Sequence, residues 1–184
     1  RVIVPIIVLL AAGLIGLVWA VFPRSEDTHI GYEIPRLGAS HLPPFVYITD
    51  VEIEGNSVVI PPTSGNHMER RLPYGFSSEP LVPERAVHNM EHGAVVIWFK
   101  PGDAYLAGAV NRLVSEIGPA CVVAGAFSEM TYPIAATIWG RVLPLAKFDQ
   151  EALANFITRY RGVEGPEAPL CKQESLGVPN AHAR

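Results

Sequence analysis

The apolar positions of this chain follow three patterns: one uninterrupted run at the front, several short strand-like runs, and segments with helical spacing. The front run, VIVPIIVLLAAGLIGLVWAVF (residues 2–22), contains no charged residue. A helix rises about 1.5 Å per residue, so this run reaches roughly 30 Å, the thickness of a bilayer's hydrocarbon core. It predicts a single N-terminal transmembrane anchor over residues 1–22. Arg1 places the N-terminus in the cytoplasm and the rest of the chain outside the plasma (inner) membrane. A cleaved signal peptide is the alternative, but its apolar region ordinarily runs to about 7–15 residues. Residues 23–44 hold Pro23, Gly31, Pro35, Gly38, Pro43 and Pro44 and read as a linker and loop.

Beyond the linker the period changes. In FVYITDVEIEGNSVVI (45–60), Tyr47, Thr49, Val51 and Ile53 share one face, which predicts two strands joined at Glu54-Gly55-Asn56. Residues 61–83 show no period and contain five prolines; loops of that length inside a domain are often functional. Pro83 suits a first helical position, and Gly93 suits the position just past a helix end, so a helix of about two turns is expected over 84–92. AVVIWF (94–99) reads as a buried strand. A helix follows over 102–118, with Asp103 as N-cap and Leu106, Val110, Leu113, Val114 and Ile117 on its apolar face. Residues 121–127 and 134–145 read as strands that pair antiparallel across a connection of about six residues. The last helix, 148–162, is capped by Asp149 and buries Leu153, Phe156, Ile157 and Tyr160. Residues 45–162 thus predict an α+β domain, a mixed or antiparallel sheet with its two main helices on one face. Residues 163–184 read as an irregular tail.

The formal net charge is −4 and there is no basic stripe, which argues against nucleic acid as a partner. Phosphate-loop, dinucleotide and nucleophile-elbow motifs are absent. Ser64 lies outside any G-x-S-x-G, and Cys121 opens a strand instead of a helix, so nothing evident activates either as a nucleophile.

Histidines change the picture. Four of the six, His41, His67, His88 and His92, fall in predicted loops or the short helix. His88 and His92 are one helical turn apart and can share an ion. Imidazole suits zinc, copper, iron and nickel, and an added thioether from Met68 or Met90 favours copper(I), so copper is expected ahead of zinc. His67, His88 and His92 are expected in one coordination sphere, with His41, Glu91 or a methionine nearby. The competing reading is that these histidines hold down loops. His88-Asn89-Met90-Glu91-His92 also fits the H-x-x-E-H pattern of a zinc peptidase with Glu91 as general base. A third ligand downstream is lacking, so a zinc hydrolase is the less favoured reading and no enzyme is expected.

PPTSGNH (61–67), VHNMEHGAVV (87–96), WGR (139–141) and FDQEALANFITRYRG (148–162) resemble the bacterial domain of unknown function 3105 family. The resemblance spans roughly residues 41–162, with His67, His88, Glu91, His92 and Gly93 at the matching motif positions; Met68 and Met90 are not among them. It implies a membrane-tethered extracytoplasmic domain and brings no established activity.

Two further readings complete the expectation. Cys121 and Cys171 are expected to form a disulfide that fastens the tail to the sheet, the alternative being two free thiols. In the anchor, Ala12, Gly16 and Ala20 make a small-residue stripe of the kind that lets helices pack closely in lipid. Together these point to a single-pass accessory protein with a histidine-rich metal site, attached to a respiratory or photosynthetic membrane complex. A purely structural subunit without metal is the alternative.

Overall fold

One apolar segment, Val95–Phe99, is buried at all five positions, and a strand without a solvent face needs covering layers on both sides. The computed structural model describes residues 30–177 and builds those layers around it. In chain order the strands are β1 (Tyr32–Glu33), β2 (Asp50–Ile53), β3 (Asn56–Val59), β4 (Gly75–Phe76), β5 (Val95–Phe99), β6 (Val122–Ala126), β7 (Ile134–Ile138) and β8 (Arg141–Leu145). The helices are α1 (Pro83–Glu91), α2 (Ala104–Ile117), α3 (Gln150–Tyr160) and α4 (Leu170–Ser175). The fold is α+β, with a mixed six-stranded sheet ordered β1-β8-β7-β5-β6-β4 and a separate β2–β3 hairpin.

Alternate residues of the central strand face opposite layers. Val95, Ile97 and Phe99 pack with Leu106, Val110, Leu113 and Val114 of α2 and with Leu153, Phe156, Ile157 and Tyr160 of α3. Val96 and Trp98 pack with Ala86, Val87 and Met90 of α1 and with Ile53 and Val58 of the hairpin. The two main helices therefore share one face, and α1 with the hairpin covers the other. Asp103 and Asp149 cap α2 and α3 by accepting hydrogen bonds from the Leu106 and Ala152 amides. At the β2–β3 turn Glu54 and Gly55 both have positive φ (52° and 76°), the conformation that a two-residue hairpin with right-handed twist demands.

The expected pairing of the strands at 121–127 and 134–145 is corrected. β5 lies between them, parallel to β6 and antiparallel to β7. The short connection passes over the end of β5, where the Phe127 amide donates to the Phe99 carbonyl and the Lys100 amide to the Pro133 carbonyl, each at 2.9 Å. A wholly buried strand needs both edges paired, and that requirement outweighs the brevity of the loop. The expected single strand at 134–145 is the hairpin β7–β8, folded at Trp139-Gly140 with Gly140 at φ 74°. Tyr32–Glu33, within the stretch read as linker, pairs with β8, and Gly75–Phe76, within the long loop, pairs with β6. The tail is not wholly irregular, since α4 lies in it. The predicted span over residues 1–22, with Ala12, Gly16 and Ala20, lies outside the described residues. Among the described residues no helix is long and apolar enough to cross a membrane.

Cys121 and Cys171 are disulfide-bonded. They pack with Ala94 at the start of β5, so the bond fastens α4 against the end of α1. The bond spans 50 residues of sequence, and closing a loop of that length removes roughly 4 kcal/mol of unfolded-state entropy. Replacing both cysteines by serine is expected to lower the unfolding free energy by about that amount, measured as the urea midpoint of non-reduced protein. An unchanged midpoint would show that the bond adds nothing to the stability of the domain.

Candidate metal centre

α1 is short because its C-terminus is fixed chemically. The Ala94 amide donates to the Asn89 carbonyl and the Gly93 amide to the Met90 carbonyl, both at 2.9 Å, with Gly93 at φ 90°. This is the paired hydrogen-bond pattern that closes a helix through a left-handed glycine. A Cβ on Gly93 would also lie 2.8 Å from the Ala168 Cβ, so glycine is required here for space as well. Within α1, His88, Glu91 and His92 fall on one face at i, i+3 and i+4. Asn89 is fully buried; its Oδ1 accepts from the Leu72 amide at 2.8 Å and its Nδ2 donates to the Leu72 carbonyl at 2.9 Å. Met90 is fully buried in the apolar cluster with Val87 and Trp98. The expectation of Met90 beside the ion is therefore corrected: two residues from His88 is more than half a turn, which sends the thioether to the core. Met68 contributes its backbone carbonyl, which accepts from His88 Nδ1.

The loop before α1 is built as carefully. Ser64 Oγ accepts from the Leu37 amide at 2.9 Å, and the Thr63 carbonyl from the Gly140 amide at 3.0 Å. Gly65 has φ 132°, and a Cβ there would lie 2.6 Å from the Val46 carbonyl. The Asn66 side chain accepts from the Ser40 amide and the His67 amide donates to the Ser40 carbonyl, which ties the loop carrying His41 to this segment. His67 is fully buried, with Trp139 edge-on at 6.1 Å between ring centroids.

The imidazoles converge. Ring centroids lie 4.8 Å apart for His41 and His67, 4.9 Å for His41 and His88, 5.1 Å for His67 and His88, and 4.6 Å for His88 and His92. One ligand atom from each of His41, His67, His88 and Glu91 lies within 4.8 Å of the others. Glu91 Oε2 is 3.0 Å from His67 Nε2 and 3.5 Å from His41 Nε2. The opposite ring nitrogens are anchored: His67 Nδ1 donates to the Gly65 carbonyl and His88 Nδ1 to the Met68 carbonyl, each at 2.8 Å. A carbonyl only accepts, so Nδ1 is the donor there in each ring, and Nε2 is turned towards the centre. Metal-bound histidines are oriented in this way.

His92 stands apart from its expected place. Its Nε2 is 3.1 Å from His88 Nε2, but its ligand atom groups with Glu91 and Glu167, not with His41 and His67. Its Nδ1 is 2.9 Å from Glu174 Oε1. Glu174 also accepts from Tyr74 Oη at 2.7 Å and pairs with Arg71 at 3.3 Å. Glu167 and Glu174 were not found by sequence reasoning. The one available signal was Cys171, whose bond to Cys121 brings the tail to the end of α1.

Electrostatics keep the donors in ligating form. Burial pushes the His88 imidazole down to about 4, with His92 and His67 adding to the effect and the Met68 carbonyl opposing it. Burial alone would raise the Glu91 carboxyl, but the hydrogen bond from His67 and the imidazoles of His67, His88 and His41 outweigh it and hold it below its usual range. Burial, then the bond to Glu174, raises the Tyr74 phenol, which stays a donor.

A family model described as "Protein of unknown function (DUF3105)" matches residues 56–174, more than half of the chain. The chain belongs to this family. No curated protein and no solved structure matches it. The domain of unknown function 3105 match starts after His41 and runs through Glu167, Cys171 and Glu174, so it takes in the part of the tail that packs on α1.

Acid is expected to destabilise the metal-free protein in a defined window. In the unfolded chain His88 takes up its proton near pH 6.5, in the folded protein only near pH 4. Between these values the unfolded state binds more protons, so stability falls as pH falls, by up to about 3 kcal/mol. The Glu91 contribution is present above about pH 4.5 and is lost as pH drops through its lower folded value. Urea unfolding of chelator-treated protein between pH 7 and pH 4 measures the slope. His88→Gln is expected to flatten the upper part, and an unchanged slope would assign the acid sensitivity to another group.

Proposed function

We propose that this is a membrane-tethered, extracytoplasmic accessory protein whose histidine cluster holds a transition metal. One observation carries the reading: His41, His67, His88 and Glu91 offer ligand atoms within 4.8 Å of one another. Ligands bound about 2.0–2.1 Å from one ion lie roughly 3–3.5 Å apart, the scale of the observed Glu91 separations of 3.0 and 3.5 Å. Carbonyl acceptors behind His67 and His88 support the same reading.

The donor set of imidazoles and a carboxylate suits zinc(II) and copper(II). With Met90 in the core, the thioether reason for copper(I) is gone. The affinity order of divalent ions still favours copper over zinc, so copper(II) is proposed. The tether rests on the uncharged run at 2–22, and the extracytoplasmic side is supported by the disulfide, which belongs to oxidising compartments. Attachment to a larger membrane complex rests on the small-residue stripe Ala12, Gly16 and Ala20. A hydrolase would use Glu91 as a general base; its contacts with His67 and His41 favour a ligand role, which supports an accessory protein without a reaction of its own.

Elemental analysis of protein purified without chelator is expected to find copper, or else zinc, in stoichiometric amount. His67→Ala with His88→Ala is expected to remove it, and Met90→Leu to leave it in place. No metal in the native protein, or no loss of metal on the double alanine change, would leave the His67–His88 cluster with a structural role only.

A further inference from the structure

We propose that Glu91, His92 and Glu167 form a second cation position beside the first, with the Glu91 carboxylate shared between two ions. The inference rests on the metal-binding reading of the first cluster. That cluster already offers four ligand atoms, enough for a closed tetrahedral site. His92 is not among them. It belongs to a separate group with Glu91 and Glu167, whose ligand atoms also lie within 4.8 Å of one another. Glu91 is the one residue common to both groups.

Two contacts place His92 for a cation at this second position. His92 Nε2 lies 3.3 Å from Glu167 Oε2, a spacing that two ligands of one ion adopt. On the far side of the ring, Nδ1 lies 2.9 Å from Glu174 Oε1, the kind of carboxylate contact that orients a metal-bound histidine.

The second position is held firmly from outside. The Glu167 amide donates to the Glu91 carbonyl at 3.0 Å and the Cys171 amide to the His92 carbonyl at 3.1 Å. Glu174, which orients His92, is fixed by Tyr74 and Arg71. Three protein ligands leave a coordination place open, and the Glu167 side chain is 42% exposed. The second ion is therefore the solvent-facing one. One imidazole and two carboxylates suit a divalent transition metal of intermediate hardness, with zinc and copper(II) included.

The test is a copper(II) titration of the full chain after removal of metal by chelator, followed by calorimetry and electron paramagnetic resonance. Two equivalents are expected in the native protein and one in Glu167→Gln or His92→Ala, each with an unchanged circular dichroism spectrum. Glu167 is half-exposed, so its substitution leaves the core intact. The native signal is expected to grow with the first equivalent and to lose intensity with the second, as copper ions coupled through one carboxylate do. One equivalent in the native protein overturns the second position and leaves the first standing. No binding overturns both. Two equivalents retained by the Glu167→Gln, His92→Ala double variant place the second ion elsewhere and overturn the proposal. Two equivalents with undiminished signal overturn the shared carboxylate.

Discussion

Glu91 holds a buried carboxylate at the last residue of a nine-residue helix, and the rest of the centre is arranged around that charge. Burial penalises an ionised carboxylate by several kcal/mol unless it is paired. Its place adds to the penalty, because a helix C-terminus carries partial negative charge and disfavours an acid. Neither effect can be relieved by solvent, since the residue is 5% exposed. Positive charge must come from neighbours, and the neighbours are imidazoles. Protons on those rings or a cation among them satisfy Glu91 equally well by sign. A cation would in addition be held by the Nε2 atoms that the Gly65 and Met68 carbonyls turn inward.

The architecture serves this arrangement at three points. β5 forces the chain to turn abruptly after His92, because a strand buried on both faces begins only three residues later. Gly93 makes that turn, and its missing Cβ admits Ala168 and so the tail. The Cys121–Cys171 bond then holds α4 against the helix end, which carries Glu174 to His92. Sheet, glycine and disulfide thus act in series on one helix terminus.

Local chemistry was legible in the sequence, and of the long-range assembly the Cys121–Cys171 bond was legible while strand order was not. Asp103, Asp149, Pro83 and the Glu54-Gly55 turn announce element boundaries because each satisfies a need within four residues of itself. The approach of His67 to the His88–His92 helix was readable from loop length and residue type alone. Strand order was not: β6 and β7 are separated by β5 because of pairing demands on β5, which no local signal at 121–145 records. Met90 was misplaced by chemistry without geometry, since a thioether near histidines suggested a ligand while helical phase sends it to the core. Glu167 and Glu174 lie in a tail without periodicity, and only the disulfide brings them near.

Burial differs sharply among the four proposed ligands, and the difference bears on the metal-binding proposal. His67, His88 and Glu91 are enclosed, while the His41 side chain is 45% exposed and sits on a loop outside the family match. Ser40 and Asn66 tether that loop through two hydrogen bonds to main-chain groups, a weaker hold than the packed core around His67. An ion held by three rigid ligands and one solvent-facing ligand can lose the fourth without disturbing the fold. A purely structural ion gains nothing from such a ligand, because its role is to remain closed in. Exchange through the His41 side is what a carrier or accessory requires. On the proposed metal-binding reading, the asymmetry of these four side chains favours a centre that takes up and releases its ion over one that only braces the domain.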